Sequence, residues 1–159
     1  MARFIAYTDG SFDMNDQVGS SALVILDEKQ ERILFERAAA RKCVYDPEKK
    51  QRNNEQELGA IIRTLMSVPE GSQLLIHSDS QYAVKVLSGD WEAKANLGLV
   101  DRFHQEKRKR RLRVELRWVR GHNGNPMNER ADQLCAMAAN SVRKGGPAVF
   151  QSERNLCFE

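Results

Sequence analysis

Cysteine is scarce and scattered in this chain. Its three cysteines, Cys43, Cys135 and Cys157, are odd in number, far apart and without a CxxC pair, a pattern that supports neither a disulfide framework nor a zinc site. A reducing interior is the expected setting. No run approaches the ~20 apolar residues of a membrane span, and the opening segment Arg3 to Thr8 is strand-like, without the apolar core of a signal peptide. A cytosolic protein without a membrane partner is the expectation. Internal repeats and low-complexity segments are also missing. The 159 residues suffice for one domain with a real core, and a formal net charge of +3 suits an anionic partner without demanding one.

What is present is a regular alternation of patterns. Residues 3–8 are rich in β-formers and end at Thr8-Asp9-Gly10-Ser11, where small polar residues turn the chain. Apolar runs at 20–26 and 32–38 flank the polar turn Asp27 to Gln30, as in an antiparallel hairpin. A charged loop from Arg41 to Arg52, containing Pro47, leads to Leu58, Ile61, Ile62, Leu65 and Met66 at helical spacing. Residues 73–78 read as a buried strand closed by Asp79, and two short helices follow around Tyr82 to Leu87 and Leu97 to Phe103. Val114, Leu116 and Trp118 alternate against Glu115 and Arg117, which is a strand pattern. Asn125-Pro126 then opens a last helix through Ala131, Leu134, Cys135 and Ala138, an N-cap residue followed by proline at the first helical position. The fold class is α/β: a mixed sheet with helices on its faces. One domain over 1–143 is expected, followed by a flexible tail over 144–159 beginning with Gly145-Gly146-Pro147.

Four carboxylates stand out against this frame. Asp9 and Asp79 each end a strand, and sites in such sheets form at the carboxyl ends of neighbouring strands, although an aspartate before glycine or serine equally starts a turn. Glu57 is one turn before Ile61 and two before Leu65, on or beside a buried stripe. Asp132 stands in the same relation to Cys135 and Ala138. Either of these two, taken alone, serves equally as a stripe-edge partner for a basic residue. Converging, the four would repel by about 4 kcal/mol per pair at ~4 Å and an effective dielectric near 20. A cation must then compensate, and oxygen-only ligands favour Mg²⁺ or Mn²⁺, ions suited to in-line displacement at phosphorus.

The segments Tyr7-Thr8-Asp9-Gly10-Ser11, Asn53-Asn54-Glu55-Gln56-Glu57-Leu58, His77-Ser78-Asp79-Ser80-Gln81-Tyr82 and Trp118 through Asp132 closely resemble, in order, the motifs of type I ribonuclease H. The resemblance spans residues 3 to about 140. It implies a ribonuclease H-like fold with a five-stranded sheet in order 3-2-1-4-5, strand 2 antiparallel. It also implies cleavage of the RNA strand of RNA/DNA hybrids by two Mg²⁺ ions, with Mn²⁺ as a possible substitute, held by Asp9, Glu57, Asp79 and Asp132. The expected ends are 5′-phosphate and 3′-hydroxyl. His122, by the same resemblance, moves a proton or helps product leave, whereas His77 and His104 read as ordinary strand and helix-surface residues. Asn53, Asn54 and Gln81 match positions that read 2′-hydroxyls, and Asn96 matches a residue holding a phosphate of the DNA strand. Gly10 and Ser11 belong to the loop that approaches the RNA.

That loop departs from the family pattern. Where relatives carry glycine and proline, this chain has Ser11-Phe12-Asp13-Met14-Asn15-Asp16-Gln17-Val18, so Asn15 becomes the binding candidate, while Asp13 and Asp16 would repel phosphates if they point inward. The stretch 88–96 is short, leaving Trp91 for any stacking made there. The basic run from Lys107 to Arg113 is expected roughly 20 Å from the His122 loop, at ~3.3 Å per strand residue. It reads as a solvated helix end or a secondary contact. The tail ending Asn155-Leu156-Cys157-Phe158-Glu159 offers a second place for a partner to an otherwise monomeric protein. Two further readings remain: a non-catalytic hybrid- or protein-binding module of the same fold, and a related metal nuclease with another nucleic-acid substrate.

Overall fold

The computed structural model describes residues 2–43 and 52–153. Six strands form one sheet in the order β5-β4-β1-β2-β3-β6. The strands are β1 (Arg3–Asp13), β2 (Val18–Asp27), β3 (Ile33–Lys42), β4 (Gln73–Ser78), β5 (Arg113–Trp118) and β6 (Val149–Glu153). The helices are α1 (Arg52–Leu65), α2 (Gln81–Leu87), α3 (Leu97–Lys109) and α4 (Pro126–Arg143). Strands β1 to β5 have the expected order, and β2 runs antiparallel between β1 and β3. β4 runs parallel to both β1 and β5, a connection that requires crossovers and so places helices on the sheet faces.

Alternation along β1 divides the core. Phe4 and Ala6 point into a cluster with Leu58, Ile61, Leu65, Ile76, Leu87 and Phe103, so α1, α2 and α3 cover one face. Tyr7, with Val24, Ala38, Leu134, Cys135 and Ala138, builds the cluster under α4 on the other face. The strand-period and helix-period patterns of the sequence therefore meet in two apolar layers.

The structure departs from expectation at two places. β1 continues four residues past Asp9 and stays paired with β2, Asp9 facing Ala22. Its ladder with β4 nonetheless ends at Thr8 and Ser78, so Asp9 and Asp79 both sit one residue beyond the last β1–β4 pair. The second departure corrects the expected flexible tail: Val149–Glu153 form β6, antiparallel to β3. Gly145, at φ 77°, and Gly146 turn the chain back, and the Ser141 hydroxyl donates to the Pro147 carbonyl at 2.6 Å. Phe150 then packs on the cluster under α4, and the open edge of β3 gains a partner, which removes an exposed row of amides and carbonyls. Arg154 to Glu159, including the proposed partner contact at 155–159 and Cys157, lie outside the described residues. So does most of the charged loop, including Pro47.

Candidate metal centre

The site begins with a close approach of backbones. Gly10 on β1 faces the Gln56–Glu57 peptide of α1, and any Cβ there would lie 2.4 Å from the Glu57 nitrogen. Only glycine lets α1 lie this close, and that approach carries Glu57 to Asp9. The Gly10 amide donates to Asp9 Oδ1 at 2.9 Å. Asp79 is fixed from its own backbone: the Trp118 indole N–H donates to its carbonyl at 3.2 Å, and the Val119 amide donates to the Ser78 carbonyl at 2.9 Å. Ser80 caps α2 through the Ala83 amide, as an N-cap serine should. Asn125 caps α4, the helix that carries Asp132, by accepting from the amides of Met127 and Asn128.

Asp9, Glu57 and Asp79 each present a carboxylate oxygen within 4.8 Å of the others. Asp9 and Glu57 are buried, and Asp79 is half-buried. Asp132 stands on the solvent side, exposed, and its carboxyl helps to raise the Asp9 pKa. The structure therefore brings three of the four expected carboxylates into one tight group and sets the fourth at its rim. Burial, followed by the Asp79 charge and the Asp132 carboxyl, pushes Asp9 up to about 7. Burial, then Asp9 and Asp79, pushes Glu57 up to about 10. Asp79 is raised by burial and by Asp132, against the opposing influence of His122. All three shifts run in the direction that burial and mutual repulsion of clustered carboxylates dictate. Glu57 Oε2 is buried without a hydrogen-bond partner, an orphaned acceptor of the kind a bound cation would satisfy. An all-oxygen donor set fits a hard divalent ion.

His122 lies in the exposed loop between β5 and α4 with φ 56°, a backbone region in which non-glycine residues are uncommon. Its charge opposes the rise of the Asp79 pKa. His77 is a strand residue as expected, stacked on Tyr7 at 4.4 Å, with its pKa lowered by burial. His104 is half-buried on α3, edge-on to Phe103. Two contributors escaped the sequence reading. Trp118 reads in the sequence as one residue of an alternating strand, yet it is 48% exposed and its indole donates to the Asp79 carbonyl. Gly121 packs close to Asp79, since a Cβ there would come within 3.1 Å of Asp79 Oδ2 and press on that carboxylate.

The substrate candidates spread around this centre. Asn53 is exposed, and its Oδ1 accepts the Phe12 amide at 2.7 Å, linking the start of α1 to β1. Asn54 is half-buried and engaged in an interaction of its own. Gln81 is exposed at the start of α2, Ser11 is exposed on β1, and Asn15 is exposed in the β1–β2 turn. Asn96 precedes α3 at φ 57° without capping it, its amide donating to the Tyr82 hydroxyl at 3.3 Å. Asp13 and Asp16 both pair with Arg143, at 3.0 and 2.8 Å, so neither is a bare charge. The basic run lies at the opposite end of the sheet: the Arg110 carbonyl accepts from Gly71, just before β4, and Arg110 is spent on Glu106 at 2.9 Å. A cavity of about 720 Å³ between the β2–β3 turn and the start of α4 is lined by Tyr7, Gln30, Arg32 and Met127, and includes none of the four carboxylates. Of the four carboxylates, Asp132 is exposed and Asp79 half-buried, so the cluster meets solvent on their side.

Residues 1–140 match the sequence profile of the RNase H family. A ribonuclease H of Anaeromyxobacter sp. (strain K) is 34% identical over 161 aligned positions, covering 92% of this chain and 85% of its own length. One from Chromobacterium violaceum is 32% identical, covering 86% and 94%. Among solved structures, the N-terminal RNase H domain of a Mycobacterium tuberculosis protein, determined as a fusion with maltose-binding protein, superposes with a TM-score of 0.74 at 19% identity, covering 91% of this chain and 99% of that one. LC11-RNase H1, solved in complex with an RNA/DNA hybrid, gives a TM-score of 0.73 at 23% identity, covering 88% and 99%.

Proposed function

The chain belongs to the RNase H family and is a nuclease, and we propose that it hydrolyses the RNA strand of RNA/DNA hybrids with divalent metal held by Asp9, Glu57, Asp79 and Asp132. The observation that carries this reading is the convergence of Asp9, Glu57 and Asp79, with the Glu57 oxygen left unsatisfied. The protein builds a pocket of negative charge that is costly unless a cation enters it. When bound, two Mg²⁺ ions, or Mn²⁺ in their place, supply activation of the attacking water and stabilisation of the leaving oxygen.

The remaining roles fall to the chain's own residues. Water adds at phosphorus and the P–O3′ bond breaks, leaving a 5′-phosphate and a 3′-hydroxyl. His122, in the exposed loop between β5 and α4, moves a proton for this step or assists release of product. Asn53, Asn54 and Gln81 read the 2′-hydroxyls that only RNA presents, with Gly10, Ser11 and Asn15 lining the approach. Asn96 holds a phosphate of the DNA strand. The hybrid bound in LC11-RNase H1 supports this choice of substrate.

End-labelled RNA/DNA hybrid, duplex RNA, duplex DNA and single-stranded RNA, each incubated with Mg²⁺ and with Mn²⁺, test the proposal. Cleavage confined to the RNA of the hybrid, with 5′-phosphate ends, is expected. Tight hybrid binding without cleavage would favour a non-catalytic module, and cleavage of duplex DNA would favour a related nuclease.

A further inference from the structure

Arg143, the last residue of α4, reaches the β1–β2 turn across 130 residues of sequence. Its guanidinium meets three side chains: Nη2 is 3.0 Å from Asp13 Oδ2, Nε is 2.8 Å from Asp16 Oδ2, and Nη1 donates to Asn140 Oδ1 at 2.8 Å. The other Asp13 oxygen accepts the Asn15 amide at 2.8 Å. The turn is tied at its two ends as well, because Phe12 donates to Asn53 Oδ1 and Cys43 donates to the Gln17 carbonyl, both at 2.7 Å. Asn15 and Met14, the latter 60% exposed, are left at the tip.

Stability does not account for this clasp. Asp13, Asp16 and Arg143 retain 36%, 51% and 30% side-chain exposure, and exposed pairs of this kind contribute little to folding. Location is what distinguishes it. Asp13 lies four residues beyond Asp9 on β1, ~13 Å at ~3.3 Å per residue. A duplex carries one negative charge per ~1.7 Å of its axis, on the order of eight over that distance. Two carboxylates at this position would oppose a polyanion seated on the metal centre, unless something cancels them.

We infer that Arg143 is a positioning residue for the substrate: it offsets Asp13 and Asp16 and holds the turn so that Asn15 faces the phosphate-bearing strands of a bound duplex. The inference rests on the hybrid-nuclease reading. In its absence the turn carries two unpaired negative charges where three side chains now sum to one. Exposed charges act over about a Debye length, ~8 Å at physiological salt, which reaches a docked backbone.

The test compares wild type, Arg143→Gln and the triple variant Arg143→Gln/Asp13→Asn/Asp16→Asn in hybrid cleavage, in hybrid binding by fluorescence anisotropy with chelator present, and in thermal melting. Arg143→Gln is expected to raise KM and Kd about tenfold with kcat nearly unchanged, and to narrow that deficit as salt screens the carboxylates. The triple variant is expected to recover most of the lost affinity, since it carries no charge for Arg143 to cancel. Unchanged KM and Kd in Arg143→Gln would overturn the inference. So would an equal deficit in the triple variant, or a loss of activity that merely tracks a lowered melting temperature. Wild-type protein that neither cleaves nor binds hybrid would instead remove the hybrid-nuclease reading on which the inference stands.

Discussion

The Glu57 amide nitrogen occupies the space that a side chain at residue 10 would need: a methyl group on Gly10 would lie 2.4 Å from it. The position of a carboxylate in the acidic cluster is thus set by the absence of a carbon atom on the neighbouring strand. Gly10→Ala is expected to push α1 from β1, destabilising the protein by roughly 1–3 kcal/mol as overpacking does. It should lower kcat by on the order of 100-fold, because displacing a catalytic group by about 1 Å is that costly. Chemical denaturation and steady-state kinetics on the same preparation separate the two effects.

The carboxylate cluster makes stability depend on pH in a direction opposite to that of an ordinary ion-paired acid. Asp9 rises from 3.8 to about 7 on folding, and Glu57 from 4.5 to about 10. An acid whose folded pKa is raised contributes stability that is complete below its unfolded pKa and is lost as pH climbs through the folded value. With chelator present, the melting temperature is therefore expected to fall from about pH 4 toward about pH 10 through these two groups. Divalent metal requires the deprotonated acids, so the increase in melting temperature caused by Mg²⁺ should grow over the same interval. A Mg²⁺ effect that is constant or shrinks with pH would separate metal binding from these carboxylates.

Trp118 holds the Asp79 carbonyl through its indole N–H at 3.2 Å while nearly half its surface faces solvent. Trp118→Phe keeps an aromatic ring and removes the donor. One hydrogen bond is worth about 0.5–1.5 kcal/mol, so kcat should fall ~3–10-fold while the melting temperature changes little. A purely structural tryptophan would show the reverse.

The strands and helices were legible because each buries one face. β1 alternates Phe4 and Ala6 against Tyr7, and the two sets enter different cores. Glu57 and Asp79 were legible for the same reason, as acids at positions that helical and strand periods bury or bring to a ladder's end. Asp132 was placed on the right helix, but its exposure was not legible: being near a buried stripe does not say how far a side chain leans into it. β6 stayed hidden because its value lies in covering β3, a tertiary need that a short segment after Gly145-Gly146-Pro147 does not announce. The pairing of Arg143 with Asp13 and Asp16 was likewise invisible, since nothing local links residues 130 apart.

The central claim, that the converging carboxylates perform the cleavage, is tested most directly by Asp79→Asn. Binding of hybrid is measured by anisotropy, and single-turnover cleavage is measured in Mg²⁺. Hybrid affinity within a few-fold of wild type, with cleavage reduced to background, is the expected result. Cleavage by Asp79→Asn at a rate near that of wild type would contradict the account and move the chemistry away from Asp9, Glu57 and Asp79.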